Sequence, residues 1–497
     1  MFAFHGCRPY AVFASCCRIT MPAPYALGLT SQPEHPEAKS LTVKGTLPPW
    51  LRGTLVRNGP GQFEVGDDSY NHWFDGLALL HAFTLTGDGV SYRSRFLRSS
   101  AYTEAESEHR ITQSAFATDP CRSLFERVMT VFRPQLTDNA NVSIHRLAGD
   151  WVALTETPMP VRFDPYTLDT LGVHSFDDTL SGPLTTAHPH RTADGTLYSY
   201  VVDFSKPTST YRLFRIDAAT NTRHELDTHT VRRPAYMHSF AMTPRYLALV
   251  AFPLVVDPLQ VLLTGRPFIE NFEWQPERGT QVHVFERDTG QRLTTVSTDP
   301  MFAFHHINAF EDDDTLCIDM AAYPDARIVD RMYLDALRSG WTDVEMARPE
   351  RLRVDLNEHT ATHERLCDVG IEVPRIHYAK HNGQAYRYAY GAGNRTPGHF
   401  TDEIVKVDMS AGTAQHWHAA DCFPGEPVFV ADPNGTAEDD GVVLSVVLDA
   451  TAERSFLLVL DATSFTEIAR AEAPQAIPLN FHGQFLHADD PLRGLHR

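Results

Sequence analysis

The chain has 497 residues and a formal net charge of −20, from 63 acidic and 43 basic side chains. A strongly acidic protein without a basic stripe repels phosphate backbones, so the composition argues against nucleic-acid binding. No segment approaches the roughly 18 uninterrupted apolar residues of a membrane-spanning helix, so any membrane contact is expected to be peripheral. The length allows two or three domains or one large β architecture.

The N-terminal segment does not fit a secretory signal peptide, because only Arg8 precedes its short apolar patch. We predict that residues 1–40 form an extension that is partly disordered, and that Met21 is the functional start. The seven cysteines form no C-x-x-C pair and no regular framework, which is typical of reduced thiols. The expected location is therefore the cytoplasm, with peripheral contact at the inner face of the membrane.

From about Lys44 onward, short β-branched or aromatic runs are separated by Gly, Pro, Asn and Asp, which predicts an all-β chain. A weak repeat joins two strands through an Asp-led polar turn. The turn residues are Asp164, Asp217, Asp288, Asp408 and Asp461. The long gap between Asp288 and Asp408 is expected to contain one disguised turn. Units of roughly 50–70 residues favour propeller blades over a sandwich, so we predict one propeller domain at 41–497.

Two segments depart from the β pattern. Residues 121–132 place four apolar side chains on one helical face, behind a helix start signal at Asp119 and Pro120. These side chains are Leu124, Val128, Val131 and Phe132. The helix can pack on the propeller as ordinary core, or its apolar face can contact a membrane. A second, more charged helical stretch at 325–338 is expected between two blades.

His305 and His306 are neighbours in an aromatic strand, so their side chains must point to opposite faces. One ring is therefore expected inside, where leaving it unpaired would cost several kcal/mol, roughly 2–7. The buried ring needs a hydrogen-bond partner or a metal. A core histidine bonded to a backbone carbonyl is the alternative.

Three other histidines stand in similar strand-like contexts, at His188, His238 and His482. The inner strands of a propeller converge on its axis, so residues far apart in sequence can meet there. Neutral imidazoles bind iron, zinc and copper, and an all-nitrogen site with open positions would admit O₂ at Fe(II). Because the chain has 25 histidines, separate core histidines remain the alternative to one metal site.

Three glutamates occur in apolar or proline-flanked contexts, where a surface charge is not expected. They are Glu156, Glu372 and Glu426. Metal-bound imidazoles usually donate their second N–H to a carboxylate, so these residues fit the same hypothesis. Each of them can also be a loop cap that accepts backbone N–H groups.

Several longer stretches carry a family resemblance. They are the segments at 51–63, 72–76, 388–391 and 438–447, which include His72-Trp-Phe-Asp-Gly76 and Tyr388-Ala-Tyr-Gly391. Together with the histidine and glutamate contexts, they closely resemble the carotenoid cleavage oxygenases over nearly all of residues 40–490. The resemblance implies an all-β, seven-bladed β-propeller with a helical cap over an axial Fe(II) site.

The resemblance also assigns residues to roles. It implies that the Fe(II) ligands, and hence the catalytic centre, are His188, His238, His305 and His482. It implies carboxylate support of three of these rings, by Glu156 for His238, Glu372 for His305 and Glu426 for His482. His190 and His306 are expected off the metal. The implied residues of an apolar substrate tunnel are Phe74 and Thr155.

Within the family, residues 119–122 and 136–142 look most like animal β-carotene oxygenases and the retinal pigment epithelium isomerohydrolase. In that branch the first segment and its helix contact the membrane, so peripheral membrane contact is expected through residues 119–132. Thr118 and Arg122 depart from the usual proline and lysine, which weakens this expectation. Asp138 or a neighbour stands where stilbene-cleaving relatives have a lysine, which disfavours a phenolic stilbene.

The sequence therefore predicts a non-haem Fe(II) dioxygenase that uses O₂ to split a carbon–carbon double bond of a carotenoid or apocarotenoid. The products would be aldehydes or ketones, for example retinal from β-carotene. The chain has no dinucleotide fingerprint and no C-x-x-C-H haem motif that would supply another redox centre. The alternatives are a non-oxidative isomerohydrolase acting on a retinyl ester, a stilbene-cleaving dioxygenase, and a propeller that carries carotenoid without turnover.

Overall fold

The computed structural model describes residues 22–87, 89–120, 136–204, 208–217, 220–264, 266–341 and 343–488. The described chain is mostly β-strand, as predicted, and its paired strands are antiparallel. The predicted helix at 121–132 lies outside the described residues, as do residues 1–21 at the N-terminus.

The N-terminal part of the fold begins with a short 3₁₀ helix at Pro24–Leu29, which precedes six strands. These are β1 (His35–Gly45), β2 (Gly53–Gln62), β3 (Glu64–Val65), β4 (Asp68–Ser69), β5 (Leu77–Thr86) and β6 (Gly89–Phe96). Strand β6 alternates between buried and half-buried residues, the pattern of a strand with one face on the core. A 3₁₀ turn at Trp73–Asp75 and helix α1 (Ser100–Glu108) flank β5 and β6.

Five separate sheets follow in chain order. The first contains β7 (Ser143–Leu147), β8 (Asp150–Leu154), β9 (Val161–Phe163) and β10 (Thr170–Val173). The second contains β11 (Leu184–Thr185), β12 (His190–Arg191), β13 (Leu197–Asp203), β14 (Ser209–Ile216) and β15 (Arg223–Val231). The third contains β16 (Ala241–Met242), β17 (Tyr246–Ala251), β20 (Thr280–Glu286) and β21 (Arg292–Thr298).

An excursion within the third sheet contributes the pair β18 (Leu254–Val256) and β19 (Phe272–Trp274), helix α2 (Pro258–Leu263), and 3₁₀ turns at Ile269–Asn271 and Pro276–Arg278. The fourth sheet contains β22 (Phe302–Asp312), β23 (Thr315–Tyr323), β24 (Arg348–Asp355) and β25 (Thr360–Arg365). The fifth contains β26 (Glu372–Arg375), β27 (Tyr388–Gly393), β28 (Glu403–Asp408) and β29 (Thr413–Trp417), with helix α5 (Tyr378–His381) after β26.

The remaining strands join the two ends of the chain in one ten-stranded sheet. Its C-terminal members are β30 (Cys422–Pro424), β31 (Val428–Ala431), β32 (Gly441–Asp449), β33 (Arg454–Asp461), β34 (Glu467–Glu472) and β35 (Gly483–His487). Strand β1 pairs with β6 on one side and β34 on the other, while β35 pairs with β2. The arrangement is propeller-like, and its closure ties strands that lie more than 400 residues apart.

The blade count and the cap differ from the predictions. The described residues show five separate blades rather than seven, because the strands expected to form two more are continuous through the β1–β34 pairing. A helical cap is not shown by the described residues. The stretch at 325–338 does form helices, α3 (Arg327–Arg331) and α4 (Leu334–Ser339), but they connect β23 to β24 within one sheet rather than two blades.

Asp-led turns are confirmed at Asp164, Asp408 and Asp461, whose carboxylates accept N–H groups of the turn, whereas the carboxylate of Asp288 accepts from the side chains of Arg287 and Tyr198. Asp164 accepts hydrogen bonds from the N–H groups of Tyr166 and Thr167, at 2.8 and 2.9 Å, between β9 and β10. The turn predicted within the long gap lies between β24 and β25 and is led by Asp355. Its carboxylate accepts hydrogen bonds from the N–H groups of Asn357 and Glu358, at 2.9 and 2.8 Å. Side chains that satisfy turn N–H groups in this way explain why Asp recurs at this place. No helix in the described ranges is long and apolar enough to cross a membrane.

Candidate metal centre

The four predicted histidines come together from four different sheets. His188 lies between β11 and β12, His238 just before β16, His305 within β22, and His482 just before β35. One ligand atom from each lies within 4.8 Å of all the others. The Nε2 atoms of His188 and His238 are 2.9 Å apart, and those of His305 and His482 are 3.1 Å apart. The four rings therefore converge on one small volume.

The neighbouring histidines point elsewhere. His305 and His306 are neighbours in strand β22, so their rings point to opposite faces, and the β22–β23 register shifts on both sides of His306. The Nδ1 of His306 is 2.7 Å from the Ser239 hydroxyl, and the Nε2 of His190 is 2.8 Å from the carbonyl oxygen of Phe240. Neither ring belongs to the converging group of described residues.

Each of the three glutamates accepts a hydrogen bond from the ring with which the resemblance pairs it. The Nδ1 atoms of His238, His305 and His482 lie 2.7, 2.6 and 2.7 Å from Glu156, Glu372 and Glu426. A neutral imidazole that donates through Nδ1 has only a lone pair on Nε2. Three Nε2 lone pairs are thus directed at one another in a buried place, which is repulsive unless a cation lies between them.

Burial favours the neutral form of His188, His238 and His482. It lowers the pKa of His482 to about 3, and together with the three neighbouring imidazoles it lowers the pKa of His188 well below its usual value. Burial also lowers the pKa of His238, although Glu156 opposes that shift. Only the neutral imidazole binds a metal, so the lowered pKa values of these three rings favour the form that metal binding requires.

Glu426 is held by more groups than the other two carboxylates. One oxygen accepts from His482 and, at 2.7 Å, from Arg375, while the other accepts from Arg57 and from the N–H of Gly483 at 2.9 Å. Arg57 and Glu426 have fully buried side chains. The two guanidinium groups, followed by His482, hold the pKa of Glu426 far below its usual value against the effect of burial.

Glu156 and Glu372 rest on different partners. Glu156 accepts a second hydrogen bond from the hydroxyl of Tyr236 at 2.9 Å. Glu372 accepts one from the N–H of Val373 at 2.9 Å, and Val373 has a φ of 44°, a conformation costly for a β-branched residue. Strain of this kind at a ligand-supporting carboxylate is consistent with a functional site.

The charges around the cluster suit a divalent cation. The three carboxylates carry three negative charges, and Arg57 and Arg375 supply two positive ones, so the surroundings of the rings have a net charge of −1. Four neutral nitrogen donors, with no carboxylate among the converging atoms, form the donor set of a transition metal such as iron, copper or zinc. The residues therefore fit a bound transition-metal ion.

A cavity of about 320 Å³ reaches the cluster. It is lined by His238, His305 and His482, by the three glutamates, and by both predicted tunnel residues, Phe74 and Thr155. The Phe74 ring lies 5.2, 5.7 and 5.3 Å, between ring centroids, from Phe116, Phe304 and Phe481. A long apolar molecule could therefore pass between aromatic side chains to the nitrogen cluster.

Phe74 is fixed by the turn that follows His72. The carboxylate of Asp75 accepts from the N–H of His72 at 3.2 Å, the N–H of Ala117 at 3.0 Å and the hydroxyl of Thr118 at 2.6 Å. Burial raises the pKa of Asp75 to about 6 despite these bonds. The turn is thereby tied to the 114–118 segment, part of which lines the cavity.

The sequence analysis did not identify Arg57, Arg375 or Tyr236 as partners of the glutamates. Arg57 is a charge in the otherwise buried strand β2, and Arg375 follows Glu372 by three residues. A lone arginine in an apolar strand indicates a buried ionic partner, and this signal could have identified Arg57. Tyr236 gave no comparable signal, because a tyrosine two residues before a histidine is equally typical of a core strand.

Comparisons with known proteins agree with this geometry. Residues 29–487 match the family model RPE65, described as retinal pigment epithelial membrane protein. The chain is 35% identical to the carotenoid isomerooxygenase of Galleria mellonella over 476 residues, which cover 90% of this chain and 93% of that protein. It is 32% identical to the human β,β-carotene 15,15'-dioxygenase over 514 residues, covering 91% and 93%.

The fold is also similar to solved structures. One of them is cobalt-substituted Synechocystis ACO, with a TM-score of 0.84 and 30% sequence identity, over 93% of this chain and 98% of that one. A variant of the same protein, named there as apocarotenoid oxygenase, has a TM-score of 0.82 and 28% identity over 94% and 99%. At this coverage the likeness extends over most of the chain.

Proposed function

Because this chain belongs to the carotenoid oxygenase family, we propose that it is a dioxygenase that cleaves a carbon–carbon double bond of a carotenoid or apocarotenoid. The alkene R–CH=CH–R′ and O₂ become two carbonyl products, R–CHO and R′–CHO, so both oxygen atoms enter the products. The observation that carries this proposal is the cluster of imidazole lone pairs in the wall of an apolar cavity.

We propose Fe(II) as the metal. His188, His238, His305 and His482 would hold it through Nε2, and four neutral ligands leave its 2+ charge undiminished. When bound, iron supplies the one-electron chemistry that lets O₂ react with an alkene. The support for iron over other ions is the family, together with a donor set of four nitrogens and no thiolate.

The protein's own residues would orient the histidine rings and the substrate and exclude water from the reacting bond. Glu156, Glu372 and Glu426 hold three rings in one tautomer and fix their direction, so that the lone pairs stay aimed at one point. Phe74 and its aromatic neighbours would hold the polyene and exclude water from the double bond. Thr155 lines the same cavity and would contact the polyene there. No side chain has to transfer a proton for the bond to be split.

Labelling with ¹⁸O₂ tests the proposal. The purified enzyme is incubated separately with β-carotene, an apocarotenal and a stilbene, and product masses are recorded. A cleaving dioxygenase gives aldehydes that carry label from O₂, measured before exchange with water. An isomerohydrolase of the same fold gives an isomerised alcohol without label, and a carrier gives no product.

We further propose that the propeller has seven blades, with the ten-stranded sheet counting as two. The supporting observation is its strand order, in which two groups of strands lie on either side of β1, the five strands β30 to β34 on one side and the four strands β2, β5, β6 and β35 on the other. In this interpretation β1 closes the ring between the first and last blades. A helical cap over the metal remains part of the proposal, and an experimental structure that includes residues 121–135 would test both.

Peripheral membrane contact through residues 119–132 is also proposed. Residues 121–135 lie outside the described residues, so the proposal depends on the helical spacing of their apolar side chains. The described residues on both sides of the segment, 114–116 and 136–137, line the cavity. Access for an apolar substrate at this point would favour contact with a bilayer.

The test uses liposomes and two forms of substrate. The double variant Val128→Asp, Phe132→Asp should co-sediment less and convert membrane-delivered substrate more slowly, while turnover of detergent-solubilised substrate stays near wild type. Unchanged sedimentation would place the entrance elsewhere. The proposed location, in the cytoplasm at the inner membrane face, is supported by the free thiols of Cys317, Cys367 and Cys422, and cell fractionation tests it.

A further inference from the structure

A second group of histidines lies in a groove between two sheets. His229 is in β15, the outermost strand of the second sheet, and His283 is in β20 of the third. Their ring centroids are 4.5 Å apart, and Tyr211 lies 6.3 Å from each. The aromatic contact holds the two sheets together and forms the floor of the groove.

The groove is strongly basic. Its volume is about 300 Å³, and its walls include four arginines but no aspartate or glutamate among the described residues. The four are Arg232, Arg233, Arg278 and Arg292. Such a concentration of positive charge is unexpected on a protein with a net charge of −20, because an even distribution would place acidic side chains there too.

Neighbouring acids offset this charge only in part. Arg233 lies 3.8 Å from Asp257, a distant pair with both side chains about one-third exposed. Arg232 and Arg278 have no acidic partner within ion-pair distance in the part of the chain that the structure describes. Arg292 donates to the Nδ1 of His229 at 3.2 Å rather than to a carboxylate, and the carboxylate of Asp227 is the nearest acid that acts on that ring.

Both histidines are neutral in this setting. Burial, then His229 and Arg292, lowers the pKa of His283 to about 3, and burial followed by Arg292 lowers the pKa of His229. Because His229 accepts through Nδ1, its Nε2 must bear the hydrogen and is a donor. The groove therefore combines guanidinium groups with a neutral N–H donor, and the described lining has no anionic acceptor.

We infer that this groove binds a small, multiply charged anion of phosphate-monoester type, either as a free metabolite or as the headgroup of an anionic lipid. The planar fork of arginine matches phosphate oxygens in pairs, which makes several converging arginines a phosphate site rather than a general basic surface. The volume lies near the lower limit for small-molecule sites, which suits a headgroup-sized ligand. The groove is distinct from the metal cavity, with which it shares no lining residue.

The test measures binding to the metal-loaded protein in two arms. In the first, sn-glycerol 3-phosphate is titrated by calorimetry at low salt. In the second, the protein is co-sedimented with vesicles of phosphatidylcholine alone and with added phosphatidate. The groove variant is Arg232→Gln, Arg278→Gln, which removes two exposed guanidinium groups without touching the His229–His283 contact. Its affinity should fall by about tenfold or more for each arginine, as expected for hydrogen bonds to a charged ligand.

The control variant is Arg52→Gln, Arg93→Gln. It makes the same change in net charge at the ten-stranded sheet, where neither arginine has an acidic partner among the described residues. Saturable binding in either arm that the groove variant loses and the control variant keeps supports the inference. Binding of glycerol 3-phosphate identifies a free anion as sufficient, whereas binding only to phosphatidate vesicles identifies a lipid headgroup. Absence of binding in both arms, or equal binding by the two variants, overturns it.

Discussion

The histidine cluster at the axis and the histidine pair in the groove differ in their hydrogen-bond partners. At the axis, three rings donate Nδ1–H to carboxylates, which leaves their Nε2 lone pairs facing one another. In the groove, His229 accepts from Arg292 and His283 meets the hydroxyl of Thr295 at 3.0 Å. Carboxylate partners prepare one cluster for a cation, and guanidinium neighbours prepare the other for an anion. The hydrogen-bond partners of the rings, more than the rings themselves, determine whether each site suits a cation or an anion.

The largest effect is expected from removing one axial ring. His305→Ala takes away both a donor nitrogen and the partner of Glu372, so the protein should lose most of its metal and its activity. The fold should survive, because strand β22 is buried between its neighbours whether or not the ion is present. Metal analysis of purified protein measures this. His190→Ala is the control, since that ring lies outside the cluster, and full iron occupancy in His305→Ala would contradict the assignment.

The second-largest effect is expected at Glu426, which supports the stability of the fold as well as the metal site. Glu426→Gln leaves Arg57 buried without a carboxylate, a situation that typically costs about 3–5 kcal/mol. We expect a loss of this size in the free energy of unfolding by urea, together with weaker metal binding. Glu311→Gln is the matched control, because its partner Arg245 is mostly exposed and such pairs contribute at most about 1 kcal/mol. Equal losses of unfolding free energy in the two variants would show that the buried Arg57–Glu426 pair stabilises the fold no more than the exposed pair does.

Glu372 is expected to matter for the metal alone. It accepts from His305 and from the N–H of Val373, and no arginine depends on it. Glu372→Gln should therefore lower metal affinity or activity by about 10–100-fold, the usual range for such a partner. Stability should change much less than in Glu426→Gln. If iron content and rate equal those of wild type, the carboxylate serves only as a cap for the Val373 N–H.

Much of the axial site could be predicted from the sequence, whereas the groove could not. The four histidines and three glutamates stand in recognisable local contexts, and the Asp-led turns reveal the repeat that brings them together. Arg57 and Arg375 reach Glu426 only through the closed ring of sheets, so their contact depends on tertiary geometry. Likewise Arg232, Arg278 and Arg292 are ordinary surface residues in sequence, and only the approach of β15 to β20 makes them one site. The sequence did not predict that only five blades would be separate sheets, because pairing through β1 merges two groups of strands, which no local pattern reveals.

The smallest effect concerns the acid stability of the groove. The pKa of His283 is lowered from 6.5 to about 3 in the folded protein. Between these values the unfolded chain binds a proton that the folded chain does not, so the stability that is fully present above 6.5 is lost as the pH falls toward 3. His283→Gln keeps a polar group that can reach Thr295 but removes this titration. Histidines that do not contact His283 are unchanged by the substitution and cancel in the comparison.

The free energy of unfolding should therefore fall less in His283→Gln than in wild type between about pH 7 and about pH 5, by roughly 1–2 kcal/mol. Urea unfolding at several pH values measures the difference. An axial ring would not give the same clean result, because metal binding there is itself pH-dependent and would be lost over the same range. Parallel curves for the two proteins would mean that His283 takes up a proton in the folded protein as readily as in the unfolded chain. The groove would then carry a fifth positive charge, and its floor would not be the neutral donor surface that distinguishes it from the axis.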